Sequence, residues 1–249
     1  MKKLGKLGNL VRPDLIIFDL DNTLYSYDEP HKIALQETLE KYSYKFNTKL
    51  KDALELYITA RKIVKTRLIN HTSSHSRLLY FKQMIERAGL STSATIALEL
   101  DKIYWRSFIS NAKLFPDVFN FLDDLRLLKI RLAIITNLTT EVQFRKLIAF
   151  EIESFFDYII SSEETGIEKP NSKIFLLLIE KLKANNIKKP ENIWMIGDDF
   201  DADMKGAKDS LSATTFLKKT KNVKIKDKNS VVDYSFTNFK ELRDFIKKT

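Results

Sequence analysis

Cysteine is absent from the 249 residues of this chain. The protein can therefore form no disulfide, no zinc–thiolate site and no thiol nucleophile. The sequence also lacks an apolar stretch of the ~20 residues that a membrane-spanning helix needs, and no sustained apolar run follows the basic segment MKKLGKLGNLVRP, as one would in a signal peptide. The missing cysteine does not fix the compartment, but the missing apolar segments predict a cytoplasmic protein with no membrane partner.

Acidic residues are fewer than basic ones, and the net charge is +9, from 42 Lys and Arg against 33 Asp and Glu. Such a balance raises the possibility of a nucleic-acid partner. The lysines are scattered, however, with mild clusters at Lys2-Lys3, residues 218–228 and Lys247-Lys248, and no basic stripe interleaved with aromatic residues occurs. We therefore expect solvated lysines, a charge suited to anionic small substrates, and no nucleic-acid partner.

What the sequence does contain is an alternation of two patterns. Short apolar runs, which predict strands, occur at 14–19, 131–136, 157–160, 192–196 and 211–217, with a weaker one at 231–236. Amphipathic segments, which predict helices, lie just before the second run, between the later runs and after the last one, at 117–128, 140–149, 172–184, 202–208 and 238–247. Strand–helix alternation predicts an α/β fold with a parallel sheet covered by helices on both faces.

The stretch between the first two strands is different. Four segments there, 29–44, 48–70, 75–88 and 93–110, carry apolar residues at three- and four-residue spacing and predict helices. No strand pattern interrupts them. The chain is therefore predicted to have a core made of residues 1–24 and 114–249, with an all-helical insertion at residues 25–113.

Polar side chains follow the predicted strands at their carboxyl ends, the edge where open α/β sheets bind ligands. They are two carboxylates, a hydroxyl with an amide, a lysine and an acidic cluster: Asp19, Asp21, Thr136, Asn137, Lys169 and Gly197-Asp198-Asp199. Side chains alternate along an extended segment, so Asp19 and Asp21 share one face. Adjacent carboxylates repel unless a cation or a proton lies with them. The pattern predicts a cation at this edge.

These residues carry a resemblance to a known family. FDLDNTLY, residues 18–25, matches the D-x-D-x-T motif of the haloacid dehalogenase superfamily. AIITN resembles its second motif, Lys169 in GIEKP its third, and MIGDDFDADMKGA its fourth, in which G-D precedes an acidic residue by five positions. The resemblance covers residues 14–24 and about 114–217, which implies the Rossmann-like core of that family. An insertion directly after the first motif resembles the C1-capped subfamily, so the helices would form a C1 cap domain.

The resemblance also implies a magnesium site. Its ligands would be the Asp19 carboxylate, the Asp21 main-chain carbonyl and Asp198, with Asp203 supporting through water. Mg²⁺ prefers oxygen ligands and substrate phosphate over an all-protein cage. The acidic run DDFDAD could instead be a calcium loop, but it lacks the glycine and the terminal glutamate of an EF-hand.

The implied reaction is hydrolysis of a phosphate monoester through an aspartyl-phosphate intermediate. Asp19 resembles the nucleophile, and Lys169 with Mg²⁺ would offset its repulsion from the phosphate. Asp21 would protonate the leaving oxygen and then take a proton from the attacking water. Thr136 would bind the transferring oxygens. Dehalogenases of the family lack an aspartate at the position of Asp21, so a phosphatase is favoured.

Substrate contacts are the least specific part of the prediction. The candidates are Thr23, which would also orient the catalytic loop, Asn137, Tyr25, His75 and Arg77. Asn137 could be a turn residue only, and His75 and Arg77 could equally cap helices on the surface of the insertion.

Several interpretations stay open at this point. The substrate would be a small phosphorylated metabolite, either a nucleotide or a sugar phosphate. A phosphomutase of the same fold and a non-catalytic or nucleic-acid-binding relative are the alternatives. The sequence is compatible with a monomer or a homodimer.

Overall fold

A computed structural model describes residues 1–3, 11–219 and 231–247. The chain divides into two compact units, Met1–Ser26 with Lys113–Thr249, and Tyr27–Ala112, called here the core unit and the helical unit. Parts of the basic clusters noted above, residues 220–228 and Lys248, lie outside the described residues.

The core unit is built on a seven-stranded sheet in the order β1-β7-β6-β5-β2-β3-β4. The strands are β1 Lys2–Lys3, β2 Leu15–Phe18, β3 Arg131–Thr136, β4 Tyr158–Ser161, β5 Ile193–Gly197, β6 Thr214–Lys218 and β7 Tyr234–Phe236. Neighbouring strands from β2 to β7 pair in parallel. The short β1 pairs antiparallel with β7 at one edge. The predicted parallel-sheet α/β fold is confirmed, with one antiparallel edge strand that the sequence pattern missed.

Helices flank this sheet because its central strands are apolar on both faces. The four residues of β2 are completely buried, as expected for a parallel strand covered on both sides. The helices of the core unit are α5 Val118–Leu127, α6 Thr140–Ala149, α7 Ser172–Ala184, α8 Gly206–Leu211 and α9 Phe239–Ile246. One apolar cluster joins β2, β3 and β5 to α7 through residues that include Ile17, Ile135, Phe175 and Met195.

The helical unit consists of four α-helices and one 3₁₀ turn, and all its residues are described. They are α1 Asp28–Phe46, α2 Leu50–Arg67, the turn Thr72–His75, α3 Arg77–Arg87 and α4 Ala94–Asn111. Aromatic side chains from several helices fill its interior, among them Tyr57, Phe81, Tyr104 and Phe108. None of the described helices combines the length and apolar character that crossing a lipid bilayer requires.

Three predicted elements differ from the structure in their boundaries. The segment predicted as a helix at 202–208 is a π-helical turn, Phe200–Lys205, followed by α8. The strand predicted at 211–217 begins only at Thr214, because α8 continues to Leu211 and Ser212 adopts the left-handed conformation at its end. Of the weak run at 231–236, only the last three residues form β7.

Candidate active site

The polar residues predicted at the carboxyl edge of the sheet follow β2, β3 and β5. Asp19 comes directly after β2, and its backbone N–H donates to the carbonyl of Ile196 in β5 at 2.9 Å. Thr136 is the last residue of β3, and Asp198 follows Gly197 at the end of β5. Neighbouring parallel strands therefore bring these side chains to one edge.

Lys169 joins two of the carboxylates. Its Nζ lies 2.7 Å from Asp19 Oδ1 and 2.6 Å from Asp203 Oδ1, and it also donates to the carbonyl of Ile135 at 2.8 Å. All three charged side chains are buried. A buried lysine needs such partners, because an unpaired buried charge is costly. The predicted grouping of Asp19, Lys169 and Asp203 is thus present in the structure.

Asp198 completes a cluster of three carboxylates. One carboxylate oxygen each from Asp19, Asp198 and Asp203 lies within 4.8 Å of the others. The Thr23 hydroxyl donates to Asp19 Oδ2 at 3.0 Å and to Asp198 Oδ1 at 3.4 Å. Thr23 is completely buried, so the contacts that the structure shows for its hydroxyl are with these carboxylates, and its contact with substrate stays a prediction.

The carboxylates of this cluster outnumber the lysine in direct contact with them, because Lys169 pairs with Asp19 and Asp203 while Asp198 completes the cluster. Burial, together with the negative charges of neighbouring carboxylates, raises the pKa of Asp19 to about 7 and that of Asp198 to about 8. Burial also raises the pKa of Asp203, against the attraction of Lys169. Raised carboxylate pKa values mean that the cluster favours an added positive charge, either a proton or a cation. Carboxylate oxygens suit Mg²⁺, so the donor set fits the predicted metal.

Asp203 is held from two sides, which suits a supporting position. Oδ1 accepts from Lys169, and Oδ2 accepts from the backbone N–H of Asp199 at 3.0 Å. The close approach needs a glycine at 197, because a Cβ there would lie 2.4 Å from Asp203 Oδ2. The neighbouring Asp199 uses its own Oδ1 to accept from the N–H groups of Asp201 and Ala202 and so caps the π-helical turn.

Asp21 has a different environment from Asp19. Its Oδ1 accepts from Lys146 Nζ at 2.7 Å and from the Tyr25 hydroxyl, and its Oδ2 lies 3.5 Å from Gln143 Nε2. Burial opposes ionisation of Asp21, but the charge of Lys146 and the hydrogen bonds from Lys146, Tyr25 and Gln143 outweigh it and lower the pKa. Asp21 is therefore ionised at neutral pH in this conformation.

Tyr25 was predicted to contact substrate, and the structure places it beneath the protein surface beside Asp21. The side chain is completely buried, and its hydroxyl donates to Asp21. Its ring packs against Phe150 with centroids 4.9 Å apart. In this arrangement Tyr25 contacts Asp21 through its hydroxyl, and its contact with substrate stays a prediction.

Thr136 and Asn137 form the loop after β3 together with Gln143 of α6. Gln143 Nε2 donates to Thr136 Oγ1 at 2.6 Å and to the carbonyl of Asn137 at 2.9 Å. Asn137 Oδ1 accepts from the backbone N–H of Lys169 at 2.8 Å. Asn137 thus ties the second-motif loop to the loop that carries Lys169, which is more than a turn residue does.

Gln143 and Lys146 are the two residues of this site that the sequence analysis missed. Both are completely buried on α6. They are three residues apart, and Val142 and Leu147 beside them are buried as well. The signal available in the sequence was a lysine and a glutamine on the apolar face of a predicted helix. Long charged side chains are rarely fully buried without a partner, so this pattern indicates a buried polar contact.

The other two predicted substrate contacts, His75 and Arg77, belong to the helical unit. His75 ends the 3₁₀ turn, and Arg77 is the first residue of α3. Arg77 is buried, and its Nη1 donates to the His75 carbonyl at 2.5 Å.

Comparison with protein-family models identifies the family. A model described as haloacid dehalogenase-like hydrolase matches residues 13–210. The chain belongs to the haloacid dehalogenase-like hydrolases. All four motifs named above lie within the matched range, so this hydrolase family accounts for Asp19, Thr136, Lys169 and Asp198 at one sheet edge.

Two curated relatives of this hydrolase are phosphatases by name. It is 35% identical over 195 residues to ribulose-1,5-bisphosphate 5-phosphatase of Halopiger xanaduensis, which covers 77% of this chain and 79% of that protein. It is 29% identical over 238 residues to glyceraldehyde 3-phosphate phosphatase of Methanopyrus kandleri, covering 93% and 96%. Among solved structures, the HAD phosphatase of Thermococcus onnurineus has a TM-score of 0.70 at 24% identity, covering 93% and 97%. That last likeness supports the fold alone.

Proposed function

We propose that the protein is a Mg²⁺-dependent phosphomonoesterase that hydrolyses a small phosphorylated metabolite through an aspartyl-phosphate on Asp19. The observation that carries the proposal is the contact of Lys169 Nζ with Asp19 Oδ1 at 2.7 Å within a cluster of three carboxylates. A carboxylate nucleophile needs no base, but it must approach an anionic phosphate. Positive charge placed beside it offsets that repulsion.

The metal would be held by the Asp19 carboxylate, the Asp21 main-chain carbonyl and Asp198. Asp203 suits an indirect role through water, because both its oxygens already accept from Lys169 and from the Asp199 N–H. When bound, Mg²⁺ supplies positive charge that stabilises the phosphate oxygens during transfer.

The chain's own residues would do the rest of the chemistry. An oxygen of Asp19 attacks phosphorus in line with the ester oxygen, whose bond to phosphorus breaks, and Lys169 holds Asp19 in place. Thr136, whose hydroxyl accepts from Gln143 Nε2 at 2.6 Å, donates to an oxygen of the transferring phosphoryl group. Water then attacks the phosphorus of the aspartyl-phosphate, which releases inorganic phosphate and restores Asp19.

Asp21 would serve both steps, as acid and then as base. The contact with Lys146 at 2.7 Å favours the ionised form, which suits the second step. For the first step, Asp21 must bind a proton and release Lys146. Lys146, Gln143 and Tyr25 are therefore proposed as positioning residues that hold Asp21 ready to deprotonate water.

The names of the relatives favour phosphate esters of sugars as substrates. The two curated relatives carry names that specify ribulose 1,5-bisphosphate and glyceraldehyde 3-phosphate. A nucleotide substrate stays an alternative. The helical unit would be a cap of the C1 type, in which His75 and Arg77 are the remaining candidate substrate contacts. A cytoplasmic location and a monomer or homodimer stay predictions.

The test is hydrolysis of p-nitrophenyl phosphate by the purified protein. We expect turnover with Mg²⁺, loss of turnover in excess EDTA, and inhibition by Ca²⁺, whose larger and looser ligand shell spoils in-line attack. Undiminished turnover in EDTA would contradict the metal assignment. A panel of sugar phosphates and nucleoside monophosphates then ranks the substrates. If the product is an isomeric phosphate ester and no inorganic phosphate appears, the protein is a phosphomutase.

A further inference from the structure

The helical unit buries a positive charge at Arg77. This residue is 7% exposed, and a guanidinium is always charged. Among the described residues, no carboxylate lies within ion-pair distance of it. The ion pairs of the helical unit, such as Lys45 with Glu99 and Arg106 with Glu37, lie on the surface instead. Burial of an unpaired charge is costly, so an uncompensated Arg77 calls for a physical reason.

Aromatic rings take the place of a carboxylate around Arg77. The guanidinium carbon lies 5.4–5.8 Å from the ring centroids of Tyr104, Tyr80, Trp105 and Tyr27. Each ring attracts a cation through its negative face. These four rings and Arg77 are called here the Arg77 cluster. Cation–π contacts stabilise the charge without neutralising it, so the cluster keeps a net positive charge.

Hydrogen bonding of the Arg77 cluster is also incomplete. Arg77 donates from Nη1 to the His75 carbonyl and from Nη2 to the Tyr27 hydroxyl, but its buried Nε has no acceptor. The hydroxyl of Tyr57, whose ring centroid lies 6.1 Å from that of Tyr80, is likewise buried without a partner. Both groups can donate a hydrogen bond. Native structures leave few such groups unsatisfied.

The surroundings of the cluster are electropositive as well. His31 Nδ1 lies 2.7 Å from the Tyr104 hydroxyl, and its ring stacks on Tyr27. Burial, followed by the charges of Arg77 and Arg61, lowers the pKa of His31 to about 4. The lowered pKa of His31 is consistent with a positive electrostatic potential around the cluster, which disfavours a further cation. Tyr27 and His31 are only half-buried, so they border the side from which a ligand can approach.

We propose that the Arg77 cluster is an anion-binding site of the helical unit, which takes the phosphate or carboxylate group of a small molecule. Arg77 supplies the charge and a free Nε–H, Tyr57 supplies a hydroxyl donor, and the aromatic rings exclude water, which strengthens the attraction. The inference does not depend on phosphatase activity. The anion has two possible sources: a second anionic group on the substrate, or a separate anion that binds independently.

The first experiment measures binding without activity. The chain has two tryptophans, Trp105 in the cluster and Trp194 in β5, so Trp194→Phe leaves Trp105 as the single reporter. Inorganic phosphate, and separately malonate, is titrated into the full chain in EDTA at pH ~9, above the raised pKa values of Asp19 and Asp198, so that the metal-free carboxylates of the core are ionised and repel anions. We expect a saturable change in Trp105 emission that sodium chloride at equal ionic strength does not produce.

Variants on the same background test the role of Arg77. Arg77→Met removes the charge but keeps an apolar stem, and it should weaken anion binding at least ~10-fold. Arg77→Lys keeps a charge without the planar fork and should bind at intermediate strength. Arg87→Met, at the exposed end of the same helix, is the matched control and should bind like the parent. Circular dichroism and thermal unfolding verify that each variant is folded.

Kinetics with Mg²⁺ then separates the two sources. If the anion belongs to the substrate, Arg77→Met raises KM for ribulose 1,5-bisphosphate more than for p-nitrophenyl phosphate, with kcat little changed. If it is a separate anion, both substrates respond alike to added malonate, and Arg77→Met abolishes that response. Either result supports the site. No saturable Trp105 signal, or an equal signal in folded Arg77→Met, overturns it. Absence of all hydrolysis with an intact Trp105 signal overturns the proposed function but not the anion site.

Discussion

The core unit and the helical unit bury charge of opposite sign. At the sheet edge of the core, Asp19, Asp198 and Asp203 form an acidic cluster, and Lys169 contacts two of them, Asp19 and Asp203. In the helical unit, Arg77 is buried among aromatic rings with no carboxylate beside it among the described residues. The first region has an excess of negative charge, and the second has an excess of positive charge.

The difference between the two regions indicates that one chain can favour a cation in one unit and an anion in the other. Carboxylates with raised pKa values favour a cation, whereas a guanidinium held by cation–π contacts favours an anion. Asp21 is the contrast within the core, because its partner Lys146 balances it one to one. A charge paired with one opposite charge keeps its side chain in place, whereas a cluster with an excess of one charge favours a ligand of the opposite charge. Four predictions test this comparison.

The largest effect, a loss of turnover, is expected from removing the proposed nucleophile Asp19 from the acidic cluster. Asp19→Asn keeps the shape but cannot form an acyl phosphate, so turnover of p-nitrophenyl phosphate should fall more than ~10³-fold. Rapid acid quench and intact-mass analysis should find no phosphoryl adduct. Asp21→Asn is the comparison variant: it should lose about 10²–10⁴-fold and accumulate a phosphoprotein, since p-nitrophenolate leaves without protonation. An adduct on the Asp19→Asn protein would contradict the mechanism.

The balanced pair is tested next, through Lys146→Met. Lys146 is completely buried and the Asp21 side chain is 27% exposed, so leaving Asp21 without its cation should cost about 2–3 kcal/mol, below the ~3–5 kcal/mol of a fully buried pair. Urea unfolding measures this loss. Lys181→Met is the control, because it breaks the more exposed pair with Glu164 and should cost below ~1 kcal/mol.

The same variant has a pH signature. Lys146 lowers the pKa of Asp21, so its removal raises that pKa and leaves less ionised base at low pH. The activity of Lys146→Met relative to wild type should therefore be lower at pH 5.5 than at pH 7.5. The stability that the pair contributes is present above the unfolded-state pKa of Asp21 and is lost as pH falls through its lower folded-state pKa. A pH-independent activity ratio would show that Lys146 only supports folding.

The third prediction concerns metal and pH in the acidic region. Because the folded-state pKa values of Asp19 and Asp198 are raised to about 7 and about 8, the metal-free folded protein holds extra protons between pH ~4 and ~8. Its stability in EDTA should fall as pH rises through that window. At a concentration 100 times its Kd at pH 8, Mg²⁺ should raise Tm by roughly 5–10 °C at that pH. The same concentration should raise Tm by less at pH 6, because protons compete with the metal for the carboxylates. Equal Tm gains at both pH values would remove the link between the carboxylates and the metal.

The smallest effect belongs to the helical unit and compares two neighbouring tyrosines. The buried hydroxyl of Tyr57 has no partner, whereas that of Tyr80 donates to the Ser74 carbonyl. Without an added anion, Tyr57→Phe should change the free energy of unfolding by less than ~0.5 kcal/mol, and Tyr80→Phe should lower it by about 1 kcal/mol. Urea unfolding of both variants measures the difference. Equal losses would mean that the Tyr57 hydroxyl is already satisfied and leave Arg77 alone to bind an anion.

The sequence by itself determined the α/β alternation and the helical character of the insertion. It also singled out Asp19, Thr136, Lys169 and Asp198 as candidate site residues. These features are local, because strand and helix periods and short motifs are visible within about ten residues. Boundaries were less secure: the strand predicted at 211–217 begins at Thr214, since a left-handed Ser212 leaves no mark in an apolar pattern. The two-residue strand β1 pairs with β7 and is too short to show any period.

Only the tertiary structure decided which charges meet. Lys146 lies 125 positions from Asp21, and Lys169 lies 150 positions from Asp19. A lysine on a predicted helix is ordinarily solvated, and nothing near Lys146 in the chain indicates its partner. Likewise, Arg77 reads as a helix-starting surface residue until the rings from α3 and α4 surround it. Burial and electrostatic balance depend on residues far apart in the chain, so they arise only once the chain has folded.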